Sequence, residues 1–130
     1  MGWFEKLAAM GARKPEEPSQ AEMQLREQLE DASTDPAATV RYHLRWTGQV
    51  QGVGFRYTHT NIARAKGLTG WVMNLDDGSV EMEIQGEPDR ILAHLKELHA
   101  NYERMGNRFR LAEASPRPID PDEGSFEPRY

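Results

Sequence analysis

The chain has no cysteine. Disulfides, thiol nucleophiles and thiolate metal sites are therefore excluded. No apolar run approaches the roughly 20 residues of a membrane-spanning helix, and the N-terminus lacks the apolar core of a secretory signal. Met1-Gly2 is no myristoylation signal either, because Lys6 stands where Ser or Thr is needed. A cytoplasmic location without stable membrane association is expected. A basic surplus is also missing. Residues 1–39 carry four Lys/Arg against eight Asp/Glu, a net of −4, and residues 40–130 carry twelve against thirteen, a net of −1. Neither part has the basic footprint of a nucleic-acid binder. The 130 residues, 38% of them hydrophobic, are enough for one ordinary domain and a flanking segment.

The flanking segment is residues 1–38. Trp3, Phe4, Leu7 and Met10 make a short apolar side, and Pro15 and Pro18 break the chain after Arg13 and Lys14. Ser19 to Glu22 reads as a capping box that opens a helix through about Asp31, with Leu25 and Leu29 on one side. That stripe is too thin to hold a helix in isolation, and Asp35-Pro36 reads as a linker. A mobile, weakly helical extension is the expectation, with a docking segment for a membrane surface or a partner as the alternative.

The main domain, residues 39–130, has sharper signals. Val40, Tyr42, Leu44 and Trp46 alternate with Arg41, His43, Arg45 and Thr47, the period of a half-buried strand. Phe55 to Lys66 reads as a helix with Phe55, Ile62 and Ala63 inward, closed by Gly67, with Leu68 packing back. Trp71–Asn74 is a second strand, and Asp77-Gly78 turns the chain into a third, Ser79–Gln85. Pro88 suits the first turn of a second helix, with Ile91, Leu92, Leu95 and Leu98 on its buried stripe. Arg108–Glu113 is a fourth strand. Residues 115–124 form a Pro-rich loop, and Phe126–Tyr130 is a short fifth strand that Pro128 confines to an edge. The order strand–helix–strand–strand–helix–strand is that of an α+β ferredoxin-like plait, an antiparallel sheet with both helices on one face. Such a fold leaves function open.

The richest stretch is Gly48-Gln-Val-Gln-Gly-Val-Gly-Phe-Arg56, at the junction of a strand and a helix. Glycines let backbone N–H groups point inward, and a curled backbone at a helix N-terminus is a preformed anion site. Arg56 adds a planar cation suited to phosphate or carboxylate oxygens. A tight turn needing glycine only for its geometry is the competing reading. The loop is no nucleotide motif, since it has neither a Gly-Lys-Ser/Thr ending nor a third glycine after Gly52-Val-Gly54. In this topology it lies near the end of the neighbouring central strand, which carries Gly70-Trp-Val-Met-Asn-Leu-Asp-Asp-Gly-Ser-Val80. Asn74 there is able to hold a water or substrate oxygen, or it simply forms the turn. His59 lies one helical turn past Arg56, as a base facing the site or as a partly exposed helix residue. Asp76 and Asp77 fit hairpin chemistry, and His94 and His99 suggest no metal-ligand spacing. Trp46, Trp71 and Phe55 read as core.

Together the two segments resemble the acylphosphatase family, through its G-x-V-Q-G-V-G-F-R and G-W-V-x-N-x-x-D-G-x-V signatures. The likeness runs from about Val40 to a closing Phe126-x-x-Arg-Tyr130. It implies a small, metal-independent and cofactor-free hydrolase that splits the carboxyl–phosphate bond of small acyl phosphates. It further implies that Arg56 and the loop amides of Gln51, Gly52, Val53, Gly54 and Phe55 bind the phosphate. Asn74 then positions the attacking water. Arg56 and Asn74 are thus the expected catalytic residues, in a monomer whose partner is the small-molecule substrate. The chain departs from its relatives at Gln49, often basic; at Leu75, a hydroxyl in some; at Pro128, usually apolar strand; and in the extension. A non-catalytic phosphate or phospho-partner binding module on the same fold is the alternative.

Overall fold

The computed structural model describes residues 17–130. The expected apolar side of Met1 to Arg13 lies outside the described residues. From there the chain runs α1 (Gln20–Ala32), β1 (Val40–Gly48), α2 (Phe55–Ala65), β2 (Thr69–Asn74), β3 (Val80–Gly86), α3 (Pro88–Met105), β4 (Phe109–Pro116) and β5 (Phe126–Arg129). The strands form one sheet in the order β4-β1-β3-β2-β5. Pairings β1–β3, β1–β4 and β2–β3 are antiparallel, and β5 adds to β2 in parallel. This is the ferredoxin-like plait, with Pro128 on the edge strand where its missing N–H is tolerated.

The period-two pattern of β1 divides two environments. Tyr42, Leu44 and Trp46 face the helices and oppose Ile84, Met82 and Val80 across the β1–β3 ladder. Arg41, His43 and Arg45 point to the helix-free face, opposite Gln85, Glu83 and Glu81. That face is closed by charge and by a strap. Arg41 bonds Glu83 and Glu123 at 2.7 Å each, while Gln85 exchanges two hydrogen bonds with the main chain of Asp120. Trp71 belongs to this face too. It is buried, yet outside the helix-side core, with the Arg129 guanidinium 4.4 Å above its ring.

One expectation needs correction: residues 19–32 are no loose extension. Half of the expected capping box is present: Ser19 Oγ accepts from the Glu22 N–H at 3.1 Å, while the Glu22 carboxylate turns to His99 and Arg26. The same hydroxyl donates to the Leu111 carbonyl of β4 at 2.6 Å. Leu25 and Leu29 are fully buried in the common core, and α1 packs against α3 and β4. Glu22, also buried, meets His99 Nε2 at 2.7 Å and Arg26 at 2.6 Å. Two leucines cannot hold a lone helix, but in a preformed groove they only have to cover surface the domain already exposes. Among the described residues, three helices therefore share the covered face of the sheet.

Candidate active site

The site is built where β1 hands over to α2. Gly52 and Gly54 have φ of +75° and +74°, and no non-glycine residue among the described ones has a positive φ. A Cβ at either glycine meets nothing within 4 Å, so the dihedral rather than space demands glycine there. Positive-φ residues flanking a negative-φ Val53 turn successive N–H groups toward one concavity. The amides of Gln51 through Gly54 have no backbone acceptor among the described residues, and the first α2 bond runs from Thr58 N–H to Gly54 O at 2.9 Å. The N–H groups of Phe55, Arg56 and Tyr57 precede any intrahelical partner. These donors stand at the positive end of the helix dipole; Gly52, Gly54 and Phe55 line the cleft there, while Gln51 and Val53 are not part of its lining.

Side chains hold this backbone still. Gln51 Nε2 donates to the carbonyls of Leu75 and Ser79, at 2.8 Å each. Gln49 clasps Arg108 twice, its N–H donating to Arg108 O at 2.7 Å and its Oε1 accepting from Arg108 N at 2.6 Å. The Tyr102 hydroxyl donates to Val53 O at 3.2 Å. Phe55 is buried beneath the loop against Trp46, Tyr102 and Phe109, with ring centroids 5.3–5.8 Å apart. The sequence points to Gln51 only through its amide and to Gln49 only as a missing cation. Their clasping side chains are not readable there, since nothing in one sequence shows what a carboxamide reaches.

Arg56 is half-buried. Its Nη1 donates to the Arg129 carbonyl at 3.0 Å, and its guanidinium lies 4.6 Å from the centre of the Tyr130 ring. No carboxylate pairs with it among the described residues, unlike Arg41, Arg45 and Arg64, which all have acidic partners. Its charge is therefore held in place yet open to an anion. Asn74 ends β2 on the helix-facing side, in register with Val80. Its Oδ1 is buried and has no hydrogen-bond partner among the described residues. Gly52, Gly54, Phe55, Arg56 and Asn74 line one cleft of about 340 Å³. The expected pairing of the two segments thus holds in space, but by another route: β3 lies between β1 and β2, so β2 is not the strand beside β1.

The other candidates sort differently. Asp77 accepts from the Ser79 hydroxyl and N–H, which together hold its carboxyl below the usual range, as turn chemistry requires. His59 is neither a base at the cleft nor a partly exposed helix residue. It lies on the inward stripe of Phe55, Ile62 and Ala63, fully buried. Its Nδ1 meets His94 Nε2 at 2.8 Å. Burial, reinforced by His94, holds His59 far below the ordinary imidazole range, and burial lowers His94 to about 3. His99 serves the buried Glu22 instead. No cluster of potential metal ligands occurs among the described residues.

The acylphosphatase family model matches residues 42–128. The chain belongs to the acylphosphatase family. An acylphosphatase of Thermococcus kodakarensis is 56% identical over 54 residues, 42% of this chain and 59% of that protein. The chain thus spans less than two thirds of that relative's length. An acylphosphatase of Geobacillus kaustophilus is 40% identical over 90 residues, 69% of this chain and 94% of that protein. Among solved structures, the acylphosphatase from Bacillus subtilis superposes with a TM-score of 0.56 at 26% identity, covering 70% of this chain and 99% of that one.

Proposed function

We propose that this acylphosphatase-family chain hydrolyses the carboxyl–phosphate bond of small acyl phosphates without a metal or organic cofactor. The observation that carries the reading is the buried Oδ1 of Asn74, without a partner among the described residues, in one cleft with an arginine that no described carboxylate pairs and with the loop glycines Gly52 and Gly54. A binding loop alone has no use for a buried acceptor left unsatisfied, which costs about 1–3 kcal/mol. An acceptor waiting for a water makes sense of it.

In this reading the loop amides and Arg56 hold the three non-bridging phosphate oxygens, whose charge grows in a loose transition state. Asn74 Oδ1 accepts a hydrogen bond from a water and aims its oxygen at phosphorus. The new P–O bond forms as the bond to the acyl oxygen breaks, and the acyl group leaves as a carboxylate. Its conjugate acid has a pKa of about 4, so it departs unprotonated and needs no general acid. The water's proton passes to the phosphate. Arg56 and Asn74 suffice for such an activated bond, while a phosphomonoester's alkoxide is left without help.

We further take the protein to be a cytoplasmic monomer that meets its substrate as a free small molecule rather than on nucleic acid. No described helix is long and apolar enough to cross a membrane. The deciding experiment is phosphate release from acetyl phosphate in excess chelator. The wild type should turn over, and Arg56→Ala should lose at least about a hundredfold in kcat/KM. Phosphate binding with no turnover in the wild type establishes the binding-module alternative instead.

A further inference from the structure

A second cleft, of about 380 Å³, lies between α2 and the C-terminal end of α3. It shares Tyr57 and Asn61 with the first cleft and touches the loop at Val53. Ile62 and Tyr102 of its lining are buried, while Tyr57 and Met105 stand open at 73% and 60% exposure. Its polar groups answer one another. Arg104 donates to Asn101 Oδ1 at 2.6 Å, and the Tyr102 hydroxyl donates to Val53 O at 3.2 Å. What stays open between the two helices is apolar surface, which marks a contact rather than a small-ligand site.

The N-terminal segment joins the domain at this same end. Ser19 Oγ is tied to Leu111 O, and Leu111 pairs with Trp46, two residues before the loop begins at Gly48. Met105 ends α3 just before Phe109, the partner of Gly48. Since α1 packs on α3 and α3 on α2, the groove is one helix width from α1, about 8–10 Å. We propose that this groove seats residues 1–16 of its own chain, with Trp3, Phe4, Leu7 and Met10 covering Tyr57 and Met105. The reach is sufficient: the eight residues from Gly11 to Pro18 span up to about 26 Å. The apolar residues all precede that spacer, so they arrive together. Residues 1–16 carry three Lys/Arg against two Glu, too small a surplus for a polybasic membrane anchor, which takes about four or more.

The absence of native cysteine makes thiol cross-linking a clean probe in the full-length chain. Leu7→Cys is combined either with Met105→Cys in the groove or with Ala112→Cys on β4, next to the Leu111 that Ser19 holds. Both partner positions are exposed, so both variants should fold. A disulfide needs the two Cα atoms within about 7 Å. The intrachain bond should form about tenfold faster with position 105 than with position 112, because a seated segment raises the local concentration at one place only. Adding Trp3→Asp and Phe4→Asp should bring the two rates together. Equal rates without those changes overturn the proposal. A preference for position 105 that survives them overturns it as well, since the tether alone then explains the contact. Bonds formed chiefly between chains make a second copy the occupant, and protection of the Leu7→Cys thiol by phosphatidylserine vesicles makes it a membrane; either result overturns the proposal.

Discussion

Gln51 and Leu75 are joined across the site: Gln51 Nε2 donates to the Leu75 carbonyl at 2.8 Å and, with its other proton, to the Ser79 carbonyl at 2.8 Å. One carboxamide therefore ties the Gly48–Arg56 loop to the strand end that carries Asn74. Replacing it by Ala removes both bonds, at about 0.5–1.5 kcal/mol each, while Leu75 O keeps the Gly78 N–H and Ser79 O the Leu75 N–H. It also frees the loop to drift relative to Asn74, and a displacement of about 1 Å costs about a hundredfold in rate. Gln51→Ala is expected to lower kcat ten- to hundredfold and to lower the melting temperature. Gln51→Glu should do worse, because a carboxylate sets acceptors against two carbonyl oxygens. Steady-state kinetics and thermal melts on both variants check this; a kcat equal to wild type in either removes Gln51 from the positioning apparatus.

Asn74→Ala separates function from stability. Among the described residues the Asn74 Oδ1 is buried without a protein partner, so removing it breaks no hydrogen bond within the fold. The variant should melt at or above the wild-type temperature, as sites kept for function often do when simplified. Its kcat should fall by about two orders of magnitude, the scale of one preorganised polar group in a transition state. KM should move by less than about threefold if, as proposed, the loop and Arg56 hold the phosphate. A drop in melting temperature of several degrees means that Asn74 is structural instead.

How much of this is legible in the sequence varies with the kind of signal. Strands and helices whose pattern is periodic, such as Tyr42-Leu44-Trp46 and Ile91-Leu95-Leu98, appear where the period places them. Loop glycines with positive φ are also readable, because few other residues tolerate that region. Long-range geometry is not. His59 sits one turn from Arg56 along the helix, yet the start of α2 at Phe55 turns it inward. The two leucines of α1 are too few to announce a docked helix, since the elements they pack against, α3 and β4, come much later in the chain, at Pro88–Met105 and Phe109–Pro116. The order of strands likewise places β2 beyond β3, which no local pattern encodes.

The buried imidazole pair makes stability depend on pH in a defined direction. His59 and His94 are neutral in the folded protein, their proton affinity lowered chiefly by burial. On unfolding each recovers an ordinary pKa of about 6.5. The unfolded chain thus binds more protons below that pH, and stability is lost as pH falls through 6.5 toward about 3 for His94. Each group contributes a slope of up to about 1.4 kcal/mol per pH unit in that window, and nothing above it. Lys66 and His99 lie near enough to disfavour the added charge. Urea unfolding at pH 8 and pH 5 tests it. His94→Leu should cost stability at pH 8 by stranding His59 Nδ1, yet show a shallower loss between the two pH values than wild type. Equal slopes in the two proteins rule the pair out as the source.

Whether α1 is part of the domain comes down to Leu29. A leucine in an undocked segment is solvent-exposed, and its truncation costs less than about 0.5 kcal/mol. Here Leu29 is fully buried in the common core, beside Leu25. Leu29→Ala is therefore expected to destabilise the protein by about 2–4 kcal/mol, with transfer and cavity terms both contributing. Ser19→Ala should by itself cost about 1 kcal/mol for the lost cap, and it also unties Ser19 Oγ from Leu111 O. Neither residue lines the cleft, so kcat on acetyl phosphate should stay at the wild-type value wherever the variants remain folded. Equilibrium unfolding of the two single variants and their double reports the coupling directly. Because both act through the same helix on the same strand, their costs should sum to more than the double variant loses: once α1 has let go of β4, the second substitution has little left to break.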